Sequence, residues 1–158
     1  MPTPSNTAFE AAGPGPLTLD KARQLFSFRG KSQVGEGVDI ELVRTYYHPQ
    51  VHFKDAIQEV QGRDAVIEML KRFPQRCDDL RCKVELAIQQ DNVIIIEWFM
   101  TMRVSPLPEM TNHGVTKLTL DEHGMVIRHR DFFDLWGDMI DAFPRAAKLY
   151  RRAVKHLE

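Results

Sequence analysis

The stretch MVIRHRDFFDL, residues 125–135, carries an imidazole and a carboxylate two residues apart. If Met125 to Asp134 is one β-strand, alternation puts Ile127, His129, Asp131 and Phe133 on one face. Val126, Arg128, Arg130, Phe132 and Asp134 then take the other. His129 and Asp131 are thereby close enough to share a proton between apolar neighbours, which is what general acid–base chemistry requires. Asp55, in VHFKDA, is the second carboxylate, expected to approach from the facing wall.

The chemistry expected of these groups is removal of a proton, or activation of water, by Asp55 or Asp131. The substrate would be a hydrophobic molecule, cyclic or bearing a carbonyl, and Asn112, Thr116 or a tyrosine hydroxyl would hydrogen-bond the developing oxyanion. Strand parity adds Phe53, Trp98, Met100 and Phe133 to the wall, with Tyr46 or Tyr47 reaching in from a helix. Apolar walls with a few convergent polar groups suit a small-molecule site. The same residues fit two plainer readings: ligand binding without chemistry, or a core in which Asp131 and His129 bond each other and Tyr46. One His and two Asp at these positions match no metal-specific spacing, so neither metal nor cofactor is expected.

The elements that must position these groups follow from hydrophobic period and turn signals. Residues 1–16, rich in Pro and Gly, read as a flexible tail. TLDKARQLFSFRG has a cap at Thr18 or Asp20, an apolar face of Leu19, Ala22, Leu25 and Phe26, and a stop at Gly30, so it predicts helix one. VDIELVRTYYHP predicts helix two, capped by Asp39, with Ile40, Val43 and Tyr47 on one face and Pro49 past its end. Val51, Phe53, Ile57 and Val60 suggest two short strands, and RDAVIEMLKRFP a third helix ending at Pro74. LRCKVELAIQQ, NVIIIEWFMTMRV, HGVTKLTLD and MVIRHRDFF then predict an antiparallel meander. The segment from Leu135 predicts two helical pieces broken near Pro144, the second basic.

Helices followed by a meander make an α+β domain over residues 17–143, with 144–158 as an appended basic helix. A strongly bent sheet wrapped on three helices would leave a cone-shaped internal pocket. In VIIIEWFMTM both strand faces are apolar, so Ile95 and Phe99 need a cover. A homodimer packed sheet to sheet is the expected one, the alternative being an interaction module in which that face or the basic helix RAAKLYRRAVKH recruits another protein. Arg128, Arg130 and Glu97 are expected to form a solvated ion-pair set on that outer face.

Composition limits the function classes. A formal net charge of −1, with no long basic run before the C-terminal segment, argues against nucleic acid. Val93–Ile96 is too short an apolar run to span a bilayer and no signal-peptide order opens the chain, so a soluble cytoplasmic protein without a membrane partner is expected. Cys77 and Cys82 are expected to be reduced thiols.

The segments YYHPQVHFKDAIQEVQGRDAVIEML and DEHGMVIRHRDFFDL resemble the nuclear-transport-factor-2-like superfamily. Within it they are similar to the SnoaL-like group that includes polyketide cyclases, ketosteroid isomerase and limonene epoxide hydrolase. The likeness runs roughly from Leu19 to Phe143 and is best at GRDAV and RDFFDL. It implies the cone-shaped α+β fold, and hosts of that fold include enzymes, binding proteins and interaction modules. By that resemblance Asp55 falls on the isomerase's general-base aspartate and on a water-holding asparagine of the epoxide hydrolase. Asp131 falls on the aspartate that activates water in the hydrolase. The hydrolase's Arg and second Asp are replaced by Trp98 and Met100. The isomerase's oxyanion donors are replaced by Phe26 or Phe28 and by Thr116. Neither named reaction is therefore expected to carry over intact.

Overall fold

The computed structural model describes residues 15–30 and 37–155; the expected flexible tail falls largely outside the described residues. The elements in chain order are α1 (Leu19–Phe26), β1 (Phe28–Gly30), α2 (Ile40–Tyr46), β2 (Tyr47–Lys54), β3 (Glu59–Gln61) and α3 (Arg63–Arg72). After a short helical turn follow β4 (Asp79–Gln90), β5 (Val93–Arg103), β6 (Met110–Leu120), β7 (Val126–Phe133), α4 (Leu135–Asp141) and α5 (Pro144–Val154). The α+β class expected from the sequence is the class observed.

Seven strands form one curved, open sheet in the order β1-β4-β5-β6-β7-β2-β3. The pairings are antiparallel except for β2 with β7, which is parallel and sets Phe53 opposite His129 and Lys54 opposite Arg130. The inner face of the sheet and the apolar sides of α1, α2 and α3 share one core, with Ala22, Val43, Val51, Val66, Ile94, Ile96 and Leu118 at its centre.

Local chemistry explains the helix starts. The Thr18 hydroxyl accepts from the Lys21 amide at 3.3 Å. Asp39 Oδ1 accepts from the Glu41 and Leu42 amides at 3.0 and 3.2 Å. Each such cap stabilises its helix by about 1 kcal/mol.

The helix ends differ from expectation. α1 stops at Phe26 rather than running to Gly30, because Phe28–Gly30 is taken up as an edge strand, with Phe28 opposite Cys82. α2 stops at Tyr46, and Tyr47 already belongs to β2. Pro49 biases His48 toward extended backbone, and Pro49 itself lies where the β2–β7 pairing shifts register between Tyr47 and His52.

The β6–β7 turn fixes the start of β7. Asp121 Oδ1 accepts from the amides of His123 and Met125, both at 2.9 Å. Gly124 has φ +78, and a Cβ there would lie 2.2 Å from Pro16 Cβ. Glycine meets both demands, the backbone angle and the close approach. The Leu17 amide bonds the Gly124 carbonyl at 3.0 Å, which docks the start of the domain onto this turn.

Beyond the end of β7 the chain turns into α4. Asp138 Oδ2 on α4 accepts from the His113 amide at 2.9 Å, so the helix satisfies a β6 donor just past the last β6–β7 pair, Gly114 with Phe133.

Candidate active site

Strict alternation fails once on β7, and the failure matters. The β6–β7 register jumps from Thr119 opposite Arg128 to Leu120 opposite Val126, leaving Ile127 as an extra residue. That bulge inverts the side-chain parity. Val126 is consequently buried on the same side as His129, which corrects the assignment of Val126 to the outer face. From Arg128 onward the expected parity holds: His129 and Thr116 are buried, Asp131 is mostly buried, and Phe132 is exposed.

Five side chains on four strands form a continuous hydrogen-bonded chain across the inner face. Trp98 Nε1–H donates to Thr116 Oγ1 at 2.8 Å. An indole cannot accept, so the threonine hydrogen is free to turn onward, and it donates to Asp131 Oδ1 at 2.5 Å. His129 Nε2 meets the same Oδ1 at 2.8 Å, and its Nδ1 meets the Tyr47 hydroxyl at 2.8 Å. A nitrogen facing a carboxylate must carry the hydrogen, which leaves Nδ1 to accept from the Tyr47 O–H. Every donor then points toward Asp131 Oδ1, and none of these bonds uses Oδ2.

Apolar packing holds the imidazole in place. Phe53 meets it edge-on with ring centroids 4.7 Å apart, and Phe26 and Tyr47 lie at 5.7 and 5.9 Å. The parallel β2–β7 pairing puts Phe53 beside His129. On β6, Gly114 makes room for Trp98: a Cβ at Gly114 would lie 2.3 Å from the indole ring. Phe133 packs on the other side, 6.2 Å from the Trp98 ring.

Burial and the Asp131 carboxylate act on two neighbours. Burial pushes the Tyr47 hydroxyl well above its ordinary value, with Asp131 adding in the same direction. Burial, with the same carboxylate, pushes the Cys82 thiol up to about 12. The sequence reading took Cys82 as a reduced thiol, and it is a free thiol in the structure, but did not place it near Asp131, although its alternation with Leu80, also buried, was a usable signal.

Cys82 should resist thiol reagents at pH 8 in the folded protein and react in denaturant. Below pH 9 the thiol is protonated in both states; above it the unfolded thiol ionises while the folded one stays neutral until about 12, so stability should fall as pH rises past 9. A urea titration series that stays flat from pH 8 to pH 10 would contradict this. Tyr47→Phe keeps the ring but leaves His129 Nδ1 buried without a donor. Its expected cost is about 1–3 kcal/mol in denaturant unfolding.

The remaining expected residues are placed as follows. Asn112 is buried next to Met100 across β5–β6, and its Oδ1 has no hydrogen-bond partner among the described residues. Asp55 lies in the β2–β3 hairpin turn, where its Oδ1 accepts from the Ile57 and Gln58 amides, both at 2.7 Å. Those bonds serve the turn rather than the chain around Asp131. Tyr46 is the last residue of α2; the tyrosine bonded to His129 is Tyr47, not Tyr46. On the outer face, Glu97 bonds His113 Nε2 at 2.8 Å, and Arg130 sits over the Phe132 ring, 5.1 Å from its centroid. The expected Arg–Glu set is therefore replaced by a His–Glu pair and a cation–π contact.

Solved structures share this architecture. A proposed SnoaL-like polyketide cyclase from Jannaschia sp. CCS1 aligns at 21% identity and TM-score 0.54, covering 61% of this chain and 72% of that one. A protein of ketosteroid isomerase-like fold from Catenulispora acidiphila, solved with trimethylamine, aligns at 13% identity and TM-score 0.58, covering 67% and 82%. An LEH-like epoxide hydrolase from M. tuberculosis aligns at 18% identity and TM-score 0.56, covering 74% and 84%. At such identities the likeness is one of fold, and the fold is NTF2-like. The SnoaL-like domain family matches residues 34–129, more than half of the chain, and the chain belongs to that family. No curated protein sequence matches it significantly.

Proposed function

We propose that the inner face of the sheet is a small-molecule site in which Asp131 Oδ2 acts as the general base. The observation that carries this reading is the direction of the hydrogen bonds: Thr116 and His129 both donate to Oδ1. A carboxylate held rigidly through one oxygen presents the other in a fixed position, which general-base catalysis requires. Tyr47, His129, Thr116 and Trp98 are positioning residues in this scheme. Asn112, with an unpartnered buried Oδ1, would hydrogen-bond and orient the ligand. The surrounding rings favour a hydrophobic, cyclic ligand. The reaction class is proton transfer or water activation, as in an isomerase, a cyclase, a dehydratase or a hydrolase.

Ligand binding without chemistry is the second reading, favoured by one observation. By the resemblance, Trp98 and Met100 stand where the epoxide hydrolase pattern has an Arg and an Asp; the single N–H of Trp98 is spent on Thr116, and Met100 has no donor to offer a leaving oxygen. A panel of cyclic ketones, lactones and epoxides, assayed for both thermal stabilisation and turnover, separates the two. Turnover that depends on Asp131 supports the first reading. Stabilisation with no turnover by any member supports the second.

The outer face bears on assembly. Leu86, Ile88, Phe99 and Phe132 are exposed there, and we propose that a second copy covers them, sheet to sheet. Light scattering after gel filtration should give a dimer mass, and Phe132→Glu should return a monomer. A wild-type monomer at micromolar concentration would rule this out.

A further inference from the structure

We propose that α5 is an interfacial anchor, laying its apolar half into the surface of an anionic lipid bilayer. The proposal is independent of the reaction assigned to Asp131. At 3.6 residues per turn, Arg145, Lys148, Arg151, Arg152 and Lys155 fall within one third of the helix circumference. Ala146, Ala147, Leu149, Tyr150, Ala153 and Val154 fill the opposite half. A surface helix normally buries its apolar side against the core. Here Ala147 is the one buried residue of α5, and Leu149 is 70% exposed.

The neighbouring surface extends the same pattern. Trp136 on α4 is 72% exposed, and Phe143 and Tyr150 are also exposed. The cationic side of α5 lines a groove of about 570 Å³ in which Asp141 is the one acidic residue, paired with Arg151. A strongly amphipathic helix with Lys and Arg on one side and apolar residues on the other is the form that lies in the membrane interface. Exposed Trp and Tyr suit the headgroup level, where an apolar body and a polar tip are both satisfied. No described helix is long and apolar enough to cross a membrane. Lying on a surface does not need one, so the sequence-based expectation of no membrane partner, drawn from the missing span, does not reach this case. The family match ends at residue 129, so α5 lies outside it.

The test is co-sedimentation of the full chain with sucrose-loaded vesicles of phosphatidylcholine alone or mixed equally with phosphatidylglycerol. The wild type should pellet with the mixed vesicles, remain in solution with the neutral ones, and dissociate as salt is raised. Lys148→Glu and Arg152→Glu should each weaken binding by about five-fold or more. Leu149→Glu should weaken it comparably, with an unchanged circular dichroism spectrum. The emission of Trp136 should shift blue on mixed vesicles, a shift absent in Trp136→Phe. Failure of the wild type to pellet with mixed vesicles overturns the proposal, as does equal binding by Leu149→Glu and wild type. Binding to polyglutamate with no binding to vesicles also overturns it and assigns the helix to an acidic protein instead.

Discussion

Asp131→Asn is expected to remove turnover of any substrate the protein converts, by roughly a hundred- to ten-thousand-fold, while leaving the domain folded. The reasoning is geometric. An asparagine Oδ1 in the same place can still accept from Thr116 and from His129 Nε2, the two bonds seen at Asp131. The amide nitrogen replaces Oδ2 and cannot take a proton, so positioning survives and basicity does not. Measured with the first substrate found, kcat should collapse with little change in KM or in Tm. Asp131→Ala behaves differently, since it strands the donors of Thr116 and His129, and it should lose stability as well as activity. If Asp131→Asn turns over at the wild-type rate, Asp131 is not the base.

Gly114→Ala should be costly out of proportion to one methyl group. The added Cβ would lie 2.3 Å from the Trp98 indole, and Trp98 is buried, so the ring cannot swing into solvent. Overpacking of this kind costs about 1–3 kcal/mol. Because Trp98 also holds Thr116, and Thr116 holds Asp131, the displaced indole should disturb the base too, lowering kcat. A double variant checks the cause. Trp98→Phe removes the ring atoms that the new methyl would strike, so Gly114→Ala should cost less in that background than alone. Strict additivity of the two substitutions would show that the clash is not what destabilises the single variant.

The inner wall was legible because its information is local. Alternation along β7 places His129, Asp131 and Phe133 together once the strand is assigned, and alternation along β6 does the same for Asn112, Gly114 and Thr116. The Thr18 and Asp39 caps could be read for the same reason. What escaped depends on distant partners. Phe28–Gly30 becomes a strand only because β4 is there to pair with it. The extra residue Ile127 is set by register with β6, so Val126 changes sides without any local cue. The choice of Tyr47 over Tyr46 hangs on where α2 ends. The convergence of donors on one oxygen needs β6 and β7 in register, which no periodicity encodes. Asp55 shows the converse: a carboxylate beside a turn is as well suited to bonding its own backbone as to chemistry, and its bonds to Ile57 and Gln58 follow that local rule.

The parallel pairing of β2 with β7 also sets when the molecule can become itself. β2 and β7 are separated by most of the domain's length, yet they are neighbours in the sheet. Closing so long a loop makes the pairing slow relative to the β4–β5–β6 meander. On the ribosome, β2 and β3 must wait without their neighbour until residues 126–133 have emerged. Tyr47 meets His129 only at that last step, so a nascent chain has a hydrophobic meander well before the hydrogen-bonded chain around Asp131 is complete. The order of synthesis thus leaves the β6 edge, with its buried-to-be Thr116 and Leu118, as the surface most in need of protection during folding.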